Sequence, residues 1–168
     1  MDYFLHILIL INIFIVISVS LNLVAGYAGL ISLAHAAFFG IGAYTTAIMW
    51  MYLSTGFWIN TFTGVFISAI FCLVFAYPTL RIYDDYFVIA TFGFQMIVFS
   101  VLNNWVDFTK GPLGIAGIQT PYFFNFKISS QLSYFIFSGI FATAVYFITK
   151  RLIMSPFGRI IKGISLTS

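Results

Sequence analysis

Charge is what this sequence has least of. Seven Lys or Arg and four Asp make up 7% of its 168 residues, and Glu does not occur. Soluble domains carry roughly 25% charged residues, so this chain cannot cover a water-facing surface. No formal charge lies between Asp2 and Arg81, and only His6 and His35 leave an ionisation open in that window. The window is more than three times the roughly 20 residues that one spanning helix needs. With 62% hydrophobic residues, the chain reads as an integral membrane protein. Its apolar runs do not alternate with polar residues, which excludes the pattern of a transmembrane β-barrel. The expected fold class is all-α, a polytopic helical bundle with about five spanning helices.

Other absences narrow the function. One cysteine, Cys72, excludes an internal disulfide. Met1-Asp2 precedes the first apolar run without a basic region or a small-residue cleavage site, so that run reads as a span that stays rather than a secretory signal. A net charge of +3 points to no nucleic-acid partner; basic residues in a membrane chain mostly report orientation. No stretch matches G-x-x-x-x-G-K-[ST], and none of the lysines follows a glycine, so no phosphate-cradling loop is encoded. Neither a metal-ligand cluster nor a nucleophile elbow occurs. No catalytic residue, cofactor or metal is expected, and the chain does not read as an enzyme. All four Asp lie outside the expected spans or at their ends, whereas ion-coupled carriers often hold intramembrane carboxylates. Uphill transport would therefore draw its energy from a partner.

What is present is small residues at membrane depth. Gly26 to Tyr44 reads GYAGLISLAHAAFFGIGAY. On a helix, Gly29, Ser32, Ala36, Gly40, Ala43 and Ala47 step by three or four and share one face. Such a face lets another backbone approach closely, which is how helices associate where lipid removes the hydrophobic drive. This stretch is expected at the centre of the bundle. Gly26 and Gly29 are expected to break or kink the chain before it.

The spans are expected at about 3–24, 33–53, 57–77, 86–106 and 131–149. Ser18 and Asn22 stack in the first, either bonding a neighbouring helix or their own preceding turn. Gly64, Ser68 and Cys72 make a second, weaker small stripe in the third, and Pro78 ends it. Thr91 and Gln95 stack in the fourth; they could line an aqueous path or act as polar glue between helices. His35 could relay protons or touch substrate, or be a hydrogen-bonded structural histidine at a helix end. Arg81 with Asp84 and Asp85 reads as an interfacial anchor and ion pair. The 107–130 loop holds Gly111-Pro112, Gly114, Gly117 and Pro121 and is turn-rich. Residues 1–149 form the membrane domain, and 150–168 a basic tail. Five spans put Arg81, Lys150, Arg151, Arg159 and Lys162 on one side and Lys110 and Lys127 on the other, so the tail is expected in the cytoplasm.

Several blocks carry a family resemblance. Leu21 to Met49 (LNLVAGYAGLISLAHAAFFGIGAYTTAIM) resembles the opening motif of branched-chain amino acid ABC transporter permeases, in particular the M-type subunit of the permease pair. RIYDDYFVIATFGF (Arg81 to Phe94), VLNNW (Val101 to Trp105), TKGPLGIAGI (Thr109 to Ile118) and SPFGRIIKGI (Ser155 to Ile164) follow in the family's order. The resemblance implies half of a translocation pore in the bacterial plasma (inner) membrane. Its implied partners are a second permease subunit, cytoplasmic ABC ATPase subunits, a periplasmic or extracellular substrate-binding protein and membrane lipid. It makes Asn22, Gly26, Gly29, Ser32, His35, Gly40, Gly42, Thr91 and Gln95 candidates for the translocation path or its helix packing. Arg159 and Lys162 become ATPase-facing candidates at the start of a docking region. Urea and short-chain amide permeases share much of the pattern.

The sequence also departs from that family. Gln95-Met96 stands where Gly-Glu is usual, and Phe99 stands where a basic residue follows; losing both halves of a buried pair can be nearly neutral. Asp84 replaces a usual glycine, and Lys110 and Leu113 replace a usual Gly and Asn. Family members are longer, so the resemblance implies a C-terminally truncated fragment, with a non-transporting membrane fragment as an alternative.

Overall fold

A backbone in hydrocarbon finds no water to bond, so apolar runs of spanning length satisfy their N–H and C=O groups within helices. A computed structural model of the chain describes residues 2–155 apart from 28, 30–31, 54, 80, 82–83, 119–121, 124–125 and 128–129. The long helices are α1 (Asp2–Asn22), α2 (His35–Leu53), α3 (Phe57–Thr79) and α4 (Asp84–Asn104). A short α5 (Val106–Thr109) precedes α6 (Gln131–Met154). Five of these helices are long and apolar enough to cross a membrane. The all-α reading stands; within the described residues the only strands are the two-residue pair Tyr122–Phe123 and Phe126–Lys127. Large apolar side chains lie bare on the outside, Phe62 and Leu73 at 71% exposure each. Water would not tolerate so wide an apolar surface; lipid does.

The helix ends are set by local chemistry. Beyond Asn22 the chain widens into one π turn, Leu23–Tyr27, and Gly29 follows in the left-handed region at φ 71°. The expected break is therefore there, and α2 starts only at His35. Pro78 is tolerated one residue before the end of α3. It lacks the N–H that would bond Val74, and the helix stops at Thr79, whose hydroxyl donates to the Phe75 carbonyl at 2.6 Å.

One boundary differs from expectation. Lys150 and Arg151 do not begin a tail; they lie in the last turns of α6, which runs on to Met154. Both are good helix formers. The first breaker is Pro156, and Ser155 before it is extended (φ −74°, ψ 164°), as a residue preceding proline prefers. Arg159 and Lys162 lie outside the described residues.

The chain divides into two compact units, Met1–Ile31 with Ile128–Ser168, and Ser32–Lys127. In the first, α1 packs on α6. Asn12 Nδ2 donates to Ser138 Oγ at 3.1 Å, and Val19 and Asn22 share a cavity with Tyr146, Thr149 and Lys150. Rising numbers on α1 meet rising numbers on α6, so the two helices run parallel. Parallel first and last spans fit three crossings between them. In the second unit, α2 packs mainly on α3 and also on α4.

Candidate functional site

The candidate residues fall on both units. Asn22, Gly26 and Gly29 belong to the first; Ser32, His35, Gly40, Gly42, Thr91 and Gln95 belong to the second. In the first unit, Asn22 is exposed and folds over Gly26, where a Cβ would strike its amide oxygen. Asn22 and Tyr27 line a cavity of about 290 Å3 together with Tyr146, Thr149 and Lys150 of α6.

In the second unit the seam between α2 and α3 is glycine on glycine. A Cβ on Gly64 would sit 2.9 Å from the Gly42 carbonyl oxygen, and one on Gly42 would sit 2.9 Å from Ser68 Oγ. Ser68 Oγ reaches across and donates to the Phe38 carbonyl at 3.2 Å. Gly40 looks elsewhere: a Cβ there would meet Leu102 of α4 at 3.3 Å. The single small face expected from the sequence is thus divided. Gly29 and Ser32 precede the helix, Ala36 and Ala43 are exposed, and Ala34, Ala37 and Ala47 are the buried alanines among this unit's described residues. Of the second stripe, Gly64 and Ser68 face α2, and Cys72 is exposed.

Three aromatic rings close the unit below this seam. Phe75 of α3 stacks on Phe94 of α4 at 4.0 Å, and Phe38 of α2 lies 5.4 Å from Phe94. Aromatic pairs of this kind contribute about 0.5–1.5 kcal/mol beyond their burial. Thr91, 1% exposed, sits one turn before Phe94. Its hydroxyl donates to the Val88 carbonyl at 2.9 Å and accepts the Leu33 N–H at 3.2 Å. Thr91 therefore pins the chain entering α2 onto α4. Gln95 is half-buried, and His35 is the half-buried first residue of α2. Among the described residues, no group of three metal-ligating side chains occurs.

Arg81 stacks its guanidinium over Tyr77, 4.9 Å from the ring centroid, and donates to its hydroxyl at 3.2 Å. A cation over an aromatic face at an exposed site contributes about 0.5–1 kcal/mol. The side chains of Asp84 and Asp85 lie outside the described residues. At the far end of α4, Thr109 is buried and its hydroxyl is shared between the carbonyls of Leu102 (2.6 Å) and Trp105 (2.8 Å). Thr109 Oγ1 also accepts the Gly111 N–H at 3.2 Å. Lys110 between them is left-handed, φ 62°.

Sequence reasoning passed over several of these contacts. Asn12 figured only as a polar interruption, yet it bonds Ser138 across 126 positions. Ser138 and Ala142, one turn apart on α6, carried the small-residue signal that could have found that seam. Asn60, 3% exposed, closes the turn between α2 and α3 by donating to the Thr55 carbonyl at 3.1 Å and accepting from the Thr55 hydroxyl. Most remaining Ser and Thr hydroxyls bond carbonyls three or four residues back, such as Thr45 to Ile41 at 2.7 Å. That habit satisfies them inside a helix without a neighbour.

Five apolar helices of spanning length, with glycine seams and self-satisfied hydroxyls, define a multi-pass helical membrane protein. The chain belongs to the family of branched-chain amino acid transport system permease components, whose family model matches residues 3–166. It is 38% identical over 117 residues to the high-affinity branched-chain amino acid transport system permease protein LivM of Salmonella typhimurium. Identity to the LivM protein of Escherichia coli K12 is 37% over 117 residues. Each alignment covers 70% of this chain and 28% of the relative's length. No solved structure matches the chain.

Proposed function

We propose that the chain is a membrane-spanning permease subunit of an ABC importer for branched-chain (hydrophobic) amino acids, forming half of the translocation pathway. The observation that carries this reading is the family match from residue 3 to residue 166, laid over five helices of spanning length. Separate cytoplasmic ATPase subunits drive the transport. A second permease subunit completes the pore, and a periplasmic or extracellular binding protein delivers the amino acid. The protein resides in the bacterial plasma (inner) membrane with the end of α6 toward the cytoplasm, by the excess of basic residues on that side.

Within this reading Gly40, Gly42 and Thr91 hold the α2–α3–α4 unit together. Asn22, Gly26, His35 and Gln95 are the candidates for the path. The test is reconstitution in vesicles with the partner permease, the ATPases and the binding protein. Labelled leucine uptake should require this subunit. Uptake unchanged on its omission would overturn the proposal, and transport of urea or an amide in place of leucine would reassign the cargo.

A further inference from the structure

The pair α1–α6 carries a furrow along one side that shares only Asn22 with the candidate path. On α1 its wall is Asn12, Ile15, Val19 and Asn22, which step by three and four and so share a face. Near the C-terminal ends of the two helices the furrow widens into the cavity of about 290 Å3. Toward their middles it continues as a groove of about 710 Å3 lined by Ile15, Ile136, Gly139 and Ile140 among others. Tyr146 borders both parts, so a polar cavity and an apolar groove adjoin along the pair.

The chemistry of the two ends differs. The polar end presents the Lys150 ammonium, the hydroxyls of Tyr27, Tyr146 and Thr149, and the Asn22 amide. That set is one cation and several donors, with no carboxylate. Among the described residues, the first unit holds Lys150 and Arg151 against one acid, Asp2. Asp2 begins α1, about 30 Å of helix from Asn22, and the parallel packing puts it at the opposite end from Lys150. Among the described residues of the unit, the positive charge at this end has no counter-ion. From Lys150 back to Ile136 the furrow follows about 21 Å of helix, against a hydrocarbon core of about 30 Å for two leaflets. An acyl chain of one leaflet fits that run.

We propose that this furrow binds one anionic phospholipid, its phosphodiester headgroup at Lys150 and its acyl chain along Ile136 and Ile140. A zwitterionic headgroup brings its own cation and gains less from Lys150. A free phosphate shares the headgroup's chemistry but leaves the apolar run unused. A partner's transmembrane helix would use the apolar run without needing the cation.

The full chain, purified in detergent, is titrated with phosphatidylglycerol or with phosphatidylcholine of the same acyl chains, and retained lipid is read by native mass spectrometry. Phosphatidylglycerol should be retained in preference. Lys150→Gln should weaken its retention about fivefold, the weight of one cation near an anionic surface, and Lys150→Arg should restore it. Ile140→Trp, at an exposed position that fills the groove, should weaken both lipids, while Lys110→Gln in the other unit should leave retention unchanged. Inorganic phosphate should not displace the lipid. Equal retention by Lys150→Gln and wild type overturns the proposal. So does displacement by inorganic phosphate, which would assign the site to a soluble anion. Photo-crosslinking from position 140 to a protein partner instead of lipid would assign the groove to a helix. Should Lys150→Gln lose its helical circular dichroism, preference between the two lipids in the wild type and in Ile140→Trp still decides.

Discussion

Consider Gly64→Ala, a change of one methyl group at the α2–α3 seam. The new Cβ would lie 2.9 Å from the Gly42 carbonyl oxygen and 3.1 Å from Thr46 Oγ1, whereas ordinary contact begins near 3.4 Å. The first obstacle is backbone, so no rotamer change relieves it. The helices must part by about half an ångström, which stretches the Ser68–Phe38 bond from 3.2 Å to about 3.7 Å, beyond hydrogen-bond range. Overpacking of this kind costs about 1–3 kcal/mol. Alanine also gains up to about 1 kcal/mol in helix propensity over glycine, which would blur the result taken alone. Gly93→Ala in α4 carries the same propensity gain into open space, with nothing within 4 Å. The difference between the two variants isolates the seam at about 1–3 kcal/mol. Gly42→Ala should fall between them, because its close neighbour is the Ser68 side chain, which can turn away at the expense of its bond to Phe38. Unfolding in mixed micelles of dodecyl maltoside and SDS, followed by circular dichroism, gives the ranking. Equal midpoints for Gly64→Ala and Gly93→Ala would refute the close approach of the two glycines.

Four further outcomes can be checked. Lys110→Gly should stabilise the chain by about 0.5–1 kcal/mol, since the left-handed conformation costs a side-chain residue about 1–2 kcal/mol and glycine entropy returns part of that; a lower thermal midpoint would contradict it. Thr91→Val removes the acceptor of the Leu33 N–H, a bond worth about 0.5–1.5 kcal/mol, so hydrogen exchange at the Leu33 amide should accelerate, and Thr91→Ser should restore its protection. A double-mutant cycle on Asn12→Leu and Ser138→Ala should return a coupling near 0.6 kcal/mol, the average for bonds between membrane helices; zero coupling would remove that bond as a link between α1 and α6. In a Cys72→Ser background, cysteines at positions 110 and 151 should be labelled from opposite faces of the membrane, and labelling of both from one face would break the five-span topology.

The sequence determined the class and the number of spanning helices. Both follow from the length of uncharged apolar chain, because in hydrocarbon such a run has no structure open to it other than a helix. It also placed most helix ends to within two or three residues, since Gly29, Pro78 and the 111–117 glycines act locally on the backbone. It stopped short at α6, where a change of charge at Lys150-Arg151 was taken for a change of structure. Charge marks a membrane boundary, while only a breaker such as Pro156 marks the end of a helix.

Which small residue meets which helix was decided by the tertiary structure. A three-and-four spacing names a face only once the helix start and its neighbour are known. With α2 starting at His35 and packed between two partners, Gly42 faces α3, Gly40 faces α4, and Ala36 and Ala43 are left outside. The bond from Asn12 to Ser138 and the parallel run of α1 beside α6 likewise join segments more than a hundred residues apart. Local propensity carries no term for such a pairing; the close fit of two distant surfaces supplies it.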